Sequence, residues 1–260
     1  MDDKTLSRDG TSIAYARSGR GPAVILVSGA MSTGGTLAPL AARLADGFET
    51  VVYDRRGRGG SGDTPPYDVR REVEDLAALV EVVGGEAALF GVSSGGALVL
   101  QALAEGLPVR RAAVYETPYA DFSPAGAEER AAYTRNLTEA LAEGRRGDAV
   151  ELFLRLTGMA EEVIRGARQS PMWPGMESVA PSLAYDDRVM GDSLVPRERL
   201  ASVTVPVLAL AGGASPDWMR EATRAVAEAL PEGTYRVLEG QTHMVDPDVV
   251  APVLREFFTV

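Results

Sequence analysis

The stretch Gly91-Val92-Ser93-Ser94-Gly95 sets a serine between two glycines, just where an apolar run ending at Phe90 gives way to an alanine-rich one. A serine hydroxyl is a weak nucleophile. It is activated where a tight strand-to-helix turn lifts it above a sheet edge, beside a base. In such a nucleophile elbow, strand and helix pass too close for side chains two residues before and two after the serine. Ser93 has Gly91 and Gly95 at those places, whereas Ser94 would have the bulky Val92. Ser93 is therefore the candidate nucleophile, and the chemistry implied is attack on a carbonyl carbon.

The serine proton needs an acceptor. His243 is the only histidine and the chain has no cysteine, so it is the one side chain suited by type to general-base work at neutral pH. It lies in Gly240-Gln241-Thr242-His243-Met244-Val245-Asp246, after the last strand pattern. That is where a triad with chain order serine, acid, histidine carries its base. Two carboxylates compete for the third place. Asp217 comes two residues after the usual slot, which holds Ser215, and it opens a helical pattern where it could simply cap backbone amides. Glu116 closes the apolar run 111–115, and a charge ending an apolar strand at the catalytic edge wants a partner. Glu116 is the preferred acid and Asp217 the alternative.

Positioning these groups requires a sheet. Short β-branched runs alternate with longer helical patterns, the signature of a mainly parallel sheet wrapped by helices. An opening hairpin is expected over 3–8 and 11–17, turned at Asp9-Gly10. Six further strands follow near 23–27, 50–53, 87–90, 111–115, 207–211 and 235–238. The run Ala-Val-Ile-Leu-Val at 23–27 is apolar without alternation, as in strands covered on both faces. Helices are expected near 35–45, 68–83, 95–105, 217–229 and 246–258. In the second, Val69, Val73, Leu76, Leu79 and Val80 recur at spacings of three and four as one buried stripe.

The interval from Glu116 to Val207 breaks the alternation, with helical patterns at 126–143, 147–157 and 159–169 and no strand. The fold class expected is α/β: a mostly parallel eight-stranded sheet flanked by helices, with a helical cap inserted after the sixth strand. Residues 1–260 form one domain, its core at 1–118 and 204–260 and its cap at about 119–203. The cap carries Phe153, Met159, Met172, Trp173 and Met176. Such side chains either pack the cap on the sheet or line an apolar pocket. Trp173 and Met172, with Ser28 and Met31, are the pocket residues expected.

These motifs together resemble the α/β-hydrolase superfamily, in the branch with a helical cap. The resemblance covers nearly the whole length: the hairpin, Val-Ser-Gly-Ala-Met at 27–31, Tyr-Asp-Arg-Arg-Gly-Arg-Gly-Gly-Ser-Gly-Asp at 53–63, the elbow and the His243 loop. It implies that the backbone N–H groups of Ala30 and Ser94 face a developing oxyanion, each on the order of 3 kcal/mol. It also implies structural work for Asp54 and Arg55. A second, looser elbow-like match, Ala30-Met31-Ser32-Thr33-Gly34, falls in that oxyanion loop. Two departures stand out: Ser28-Gly29 replaces the family's common His-Gly, and the acid has moved to Glu116. A serine at 93 disfavours the aspartate-nucleophile members, such as haloalkane dehalogenases and many epoxide hydrolases.

Composition narrows the function further. The net charge of -11, from 37 acidic and 26 basic residues, repels phosphate backbones and anionic headgroups, so neither nucleic acid nor membrane is an expected partner. One histidine and no cysteine make no common zinc site, and the glycine-rich turns at 57–62 and 91–96 match neither a Walker loop nor a dinucleotide fingerprint. No metal and no cofactor are expected. Arg55, Arg56 and Arg58 read as a structured turn rather than an anion site, and Asn136-Leu137-Thr138 as a chance glycosylation match. An acidic start without a basic-then-apolar pattern and no run of about 18 apolar residues predict a cytoplasmic protein. The expected activity is hydrolysis of a carboxylic ester, thioester or lactone of a small, largely apolar molecule through an acyl-enzyme on Ser93. Acyl transfer, cyclisation and cofactor-free perhydrolysis use the same groups. A non-catalytic ligand-binding module is the alternative from another class.

Overall fold

The computed structural model describes residues 3–120 and 124–259. Eight strands form a single sheet: β1 (Asp3–Leu6), β2 (Ser12–Gly19), β3 (Ala23–Val27), β4 (Glu49–Tyr53), β5 (Ala88–Val92), β6 (Ala112–Tyr115), β7 (Val207–Gly212) and β8 (Gly233–Leu238). Their order across the sheet is β1-β2-β4-β3-β5-β6-β7-β8. The pairs β1–β2 and β2–β4 are antiparallel and every other pair is parallel. The turn of the opening hairpin is wider than expected, since β1 stops at Leu6 and β2 starts at Ser12 and runs on to Gly19, with the Ser7 amide donating to the Thr11 carbonyl to close the turn.

The strand order reverses at β3, which pairs with β4 on one side and β5 on the other. Parallel pairing from β3 to β8 brings the chain segments that follow β3, β5, β6, β7 and β8 out along one sheet edge. Ligands of open parallel sheets bind at that edge, near the reversal. The elbow, Glu116 and the His243 loop all leave the sheet there.

Helices α1 (Ala38–Leu44), α2 (Val69–Val82) and α3 (Ser94–Ala104) fall within the first part of the sheet. The Asp68 side chain caps α2 by accepting from the Arg70 amide at 2.9 Å. The stripe read from its sequence packs in the core, with Val73, Leu76, Leu79 and Val80 buried and Val69 partly so. Between β6 and β7 come α4 (Pro124–Ala142), α5 (Arg146–Leu156), α6 (Glu161–Arg168), α7 (Trp173–Val179), α8 (Leu183–Met190) and α9 (Arg197–Leu200). Helices α10 (Asp217–Ala229) and α11 (Pro247–Thr259) complete the chain.

Two apolar clusters cover the two sheet faces. Ile25 and Val27 of β3 enter the one packed with α2 and α3, while Val24 and Leu26 enter the one packed with α1 and α11. This double burial explains the unbroken apolar run. A third cluster lies within α4–α8. The insertion has three more helices than the three periodic stretches foretold. Helices α7, α8 and α9 span only 4 to 8 residues and each has a proline within two residues of its first position (Pro174, Pro181 and Pro196), so none completes a readable stripe. Among the described residues, no helix is long and apolar enough to cross a membrane.

Candidate active site

Strand β5 ends at Val92 and α3 begins at Ser94, so Ser93 alone makes the turn. It does so at φ 56° and ψ -127°, a left-handed conformation that a side-chain-bearing residue adopts at a cost of about 1–3 kcal/mol. The glycines on either side are sterically required. A Cβ on Gly91 would stand 2.5 Å from the Gly95 carbonyl oxygen. One on Gly95 would stand 2.6 Å from the Ser28 carbonyl oxygen and still nearer that of Val27. Gly96 obeys the same rule, since its Cβ would lie 2.5 Å from Thr117 Oγ1. The Ser93 amide donates to the Tyr115 carbonyl at 2.9 Å, fixing the turn to the next strand.

That next strand leads to the candidate acid. Glu116 follows β6 at φ 45°, and its side chain is fully buried. One carboxylate oxygen, Oε1, accepts from the Gly212 amide at 2.7 Å, and the other, Oε2, lies 2.8 Å from His243 Nδ1. Burial raises the Glu116 pKa, but the His243 contact, the buried Ser215 hydroxyl beside it and the Gly212 amide outweigh this and hold it below its ordinary value. An ionised carboxylate only accepts, so Nδ1 carries the hydrogen and Nε2 is left to accept a proton. The His243 loop is fixed from the same strand, because Tyr115 donates its hydroxyl to the Thr242 carbonyl at 2.6 Å. The Ala214 amide donates to Gln241 at 2.8 Å and closes the loop over the end of β7. The His243 side chain is 42% exposed, and no hydrogen bond joins it to Ser93 in this structure.

The loop after β3 packs on the elbow. A Cβ on Gly29 would lie 3.0 Å from Ser93 Cβ and 3.6 Å from Ser93 Oγ. Among the described residues, neither the Ala30 nor the Ser94 amide has a hydrogen-bond acceptor. The Ser94 amide is the first of α3, where unpaired N–H groups concentrate partial positive charge. Met31 bends this loop at φ 56°. Asp54 ties it to the turn after β4, accepting from the Gly34 amide at 2.9 Å and the Gly60 amide at 2.8 Å.

The arginine cluster of that turn is wholly buried. Arg55 forms a two-pronged pair with Glu72 of α2, Nε to Oε2 at 2.6 Å and Nη2 to Oε1 at 2.8 Å. Arg56 pairs likewise with Asp75 at 2.8 and 2.6 Å and reaches Asp9 at 2.9 Å. Glu72 and Asp75 sit on α2 beside its apolar stripe, at positions the stripe alone did not distinguish. The turn is structured, as its sequence suggested, but every guanidinium is committed to internal partners.

The remaining candidates separate. Asp217 does not reach His243: its side chain is 83% exposed, pairs with Arg220, and borders a cavity of about 420 Å³ behind β8 with Arg224 and Tyr235. Ser28 is buried at the head of the loop after β3, and among the described residues its hydroxyl has no partner. Ala30 and Met31 pack against the apolar cluster of the insertion, which includes Trp173. Trp173 is buried there under the Arg168 guanidinium, 5.8 Å from its ring centre. Met172, just before the first turn of α7, is 74% exposed, unlike the buried Trp173 that follows it.

Three comparisons place the chain among known proteins. The model of the Alpha/beta hydrolase family matches residues 24–253. A 2-(acetamidomethylene)succinate hydrolase of Mesorhizobium japonicum is 29% identical over 255 residues, covering 92% of this chain and 88% of that protein. The crystal structure of an alpha/beta hydrolase from Sphaerobacter thermophilus superposes with a TM-score of 0.89 at 50% identity, covering 98% of this chain and all of the other. A thermophilic esterase from Thermogutta terrifontis shares the fold with a TM-score of 0.76 at 24% identity, covering 99% and 97% of the two chains.

Proposed function

Since the chain belongs to the α/β hydrolase family and is an enzyme of hydrolytic type, we propose that it is a serine hydrolase working through an acyl-enzyme on Ser93. The observation that carries this reading is the 2.8 Å hydrogen bond from His243 to a buried Glu116, made on the sheet edge from which Ser93 projects. Ser93 Oγ attacks the carbonyl carbon while His243 Nε2 takes its proton. The oxyanion of the tetrahedral intermediate is held by the Ala30 and Ser94 amides, and His243 returns the proton to the leaving group. Water, deprotonated by the same nitrogen, then releases the acid and frees Ser93. Glu116 keeps the hydrogen on Nδ1 and stabilises the imidazolium that forms.

Helices α4–α9 act as a cap, residues 119–203, over a core of 1–118 and 204–260. The packing of Ala30 and Met31 against the insertion's apolar cluster supports this reading. The substrate class is a carboxylic ester, thioester or lactone of a small molecule. The Mesorhizobium relative is named for a succinate derivative, a molecule of the same size class.

A fluorophosphonate probe tests the proposal. It is expected to add once, at Ser93, in the intact protein and in Ser94→Ala, and not in Ser93→Ala or His243→Ala. A folded protein that leaves the probe untouched, or labels elsewhere, overturns the reading.

A further inference from the structure

Resting on the serine-hydrolase reading, we propose that Asp186 of α8 is a positioning residue that sets both oxyanion donors, so that the site is complete only when the helical insertion is docked. Its carboxylate is buried where α8 meets α3. Oδ1 accepts from the Ser94 hydroxyl at 2.8 Å and from Arg55 Nη1 at 2.8 Å. Oδ2 accepts from Arg58 Nη2 at 2.7 Å. One carboxylate from the insertion thus grips the residue that follows the nucleophile and two guanidinium groups of the sheet domain.

The second link runs through Arg58. Its other terminal nitrogen, Nη1, donates to the Gly29 carbonyl at 2.6 Å and to the Ser32 carbonyl at 3.1 Å. The Gly29 carbonyl and the Ala30 amide belong to one planar trans peptide, in which C=O and N–H point in opposite directions. A guanidinium fixed on the carbonyl therefore fixes the direction of the Ala30 N–H, and polarises it as a donor. Arg55 adds a longer contact, 3.4 Å, to the preceding Ser28 carbonyl. On the other side, the Asp186 hydrogen bond pins the Ser94 side chain, whose own amide is the second donor.

Charge explains why the arrangement holds together and why it needs α8. Arg55 and Arg58 face Glu72 and Asp186, so the buried group is neutral as a set. Burial raises the Asp186 pKa, but Arg58 and Arg55 outweigh it and hold the carboxyl below its ordinary value. Among the described residues, Arg58 has no other carboxylate within ion-pair distance, and its Nε is buried without a partner. Removing the Asp186 charge leaves an orphaned guanidinium whose pull on Gly29 O is no longer oriented.

The test follows inactivation by a fluorophosphonate, separating the maximal rate from the half-saturating concentration, in wild type, Asp186→Asn, Arg58→Met and the double variant. Thermal unfolding of each is measured alongside. Oxyanion donors act in the transition state, so Asp186→Asn in its folded form is expected to slow the maximal rate by about 10- to 100-fold. Half-saturation should change less than about twofold. Arg58→Met should give a similar loss, and the double variant little more than either, because all three break one chain of contacts. If Asp186→Asn does not fold, the same reading is taken from Arg58→Lys, which keeps the charge and loses the fork. Wild-type rates in the folded variants, or a fall in melting temperature alone, overturn the positioning role and leave the nucleophile assignment standing. Failure of the wild type to label at Ser93 removes that assignment and the proposal together.

Discussion

Met31, Ser93 and Glu116 all have side chains and all lie at positive φ, at 56°, 56° and 45°. Each is held there by packing rather than by preference, and all three border the same sheet edge. The two to which the proposed reaction gives a role were visible in the sequence for different reasons. Ser93 was legible because glycine spacing is a steric requirement that any reader of the chain can check. Glu116 was legible only as a charge ending an apolar strand, and its partner depended on which loop lay across the edge. Asp217 occupies the more familiar stretch of sequence, yet its helix start turns it to solvent. Substitution separates the two carboxylates. Glu116→Gln is expected to lower turnover by about 10⁴, because the histidine loses the acceptor that fixes its tautomer. Asp217→Asn should leave turnover within about twofold and cost little stability, as an exposed i,i+3 pair contributes only about 0.3–0.5 kcal/mol. Steady-state kinetics on any ester that the protein hydrolyses decides this, and a large loss in Asp217→Asn instead would reverse the assignment.

At the scale of elements, the site depends on how close β5 and α3 approach the ends of β3 and β6. Gly91, Gly95 and Gly96 permit that approach, and Gly95 is the most constrained by the oxyanion loop. A methyl group there must displace the Val27–Ser28 backbone, which is also the backbone that leads to Ala30. Gly95→Ala is therefore expected to destabilise the fold by about 1–3 kcal/mol, as overpacked cores do. It should slow phosphonate labelling as well. Urea denaturation and labelling kinetics on one sample check both effects, and normal stability in that variant would show that the loop has more room than the structure gives it. Strands and long helices were legible because periodicity accumulates over their length. Helices α7 to α9 were not, being too short for a stripe and started by prolines that read equally well as turns. Asp186 was hidden with them: nothing in its local sequence tells that α8 delivers it to Arg55 and Arg58.

The whole molecule joins an apolar sheet domain to an apolar insertion through a polar seam. Arg55, Arg58 and Glu72 of the sheet domain meet Asp186 of the insertion there, and all four are buried. Glu72, Asp186 and Glu116 all have pKa values held below their ordinary values of 4.5, 3.8 and 4.5. Such groups bind a proton more weakly when folded than when unfolded. Their stabilisation is complete above the ordinary values and is lost as pH falls through the lower folded ones. Asp75 works in the opposite sense, since burial outweighs Arg56 and raises it. Asp9, held low by Arg56, works in the same sense as the other three, so the lowered groups outnumber Asp75, and the urea midpoint is expected to hold from about pH 7 to 5 and to fall steeply below about pH 4.5. Glu72→Gln should flatten that acid limb, because one of the titrating groups is gone.

The same seam makes stability depend on completeness rather than on charge as such. Arg55→Met leaves Glu72 and Asp186 buried without their shared cation, and it is expected to cost about 3–5 kcal/mol. Asp186 keeps Arg58, so adding Glu72→Leu to Arg55→Met removes the carboxylate left without a cation and replaces it with an apolar side chain beside Leu76. The double variant should therefore be more stable than Arg55→Met alone, despite carrying one more change in the core. Denaturation of the two single variants and the double variant measures this directly. Additive losses would mean that water reaches the seam and that the four charges do not act as a unit. Recovery in the double variant would show that the dry seam, which carries the sheet's arginines to the insertion, penalises a missing partner more than a missing pair.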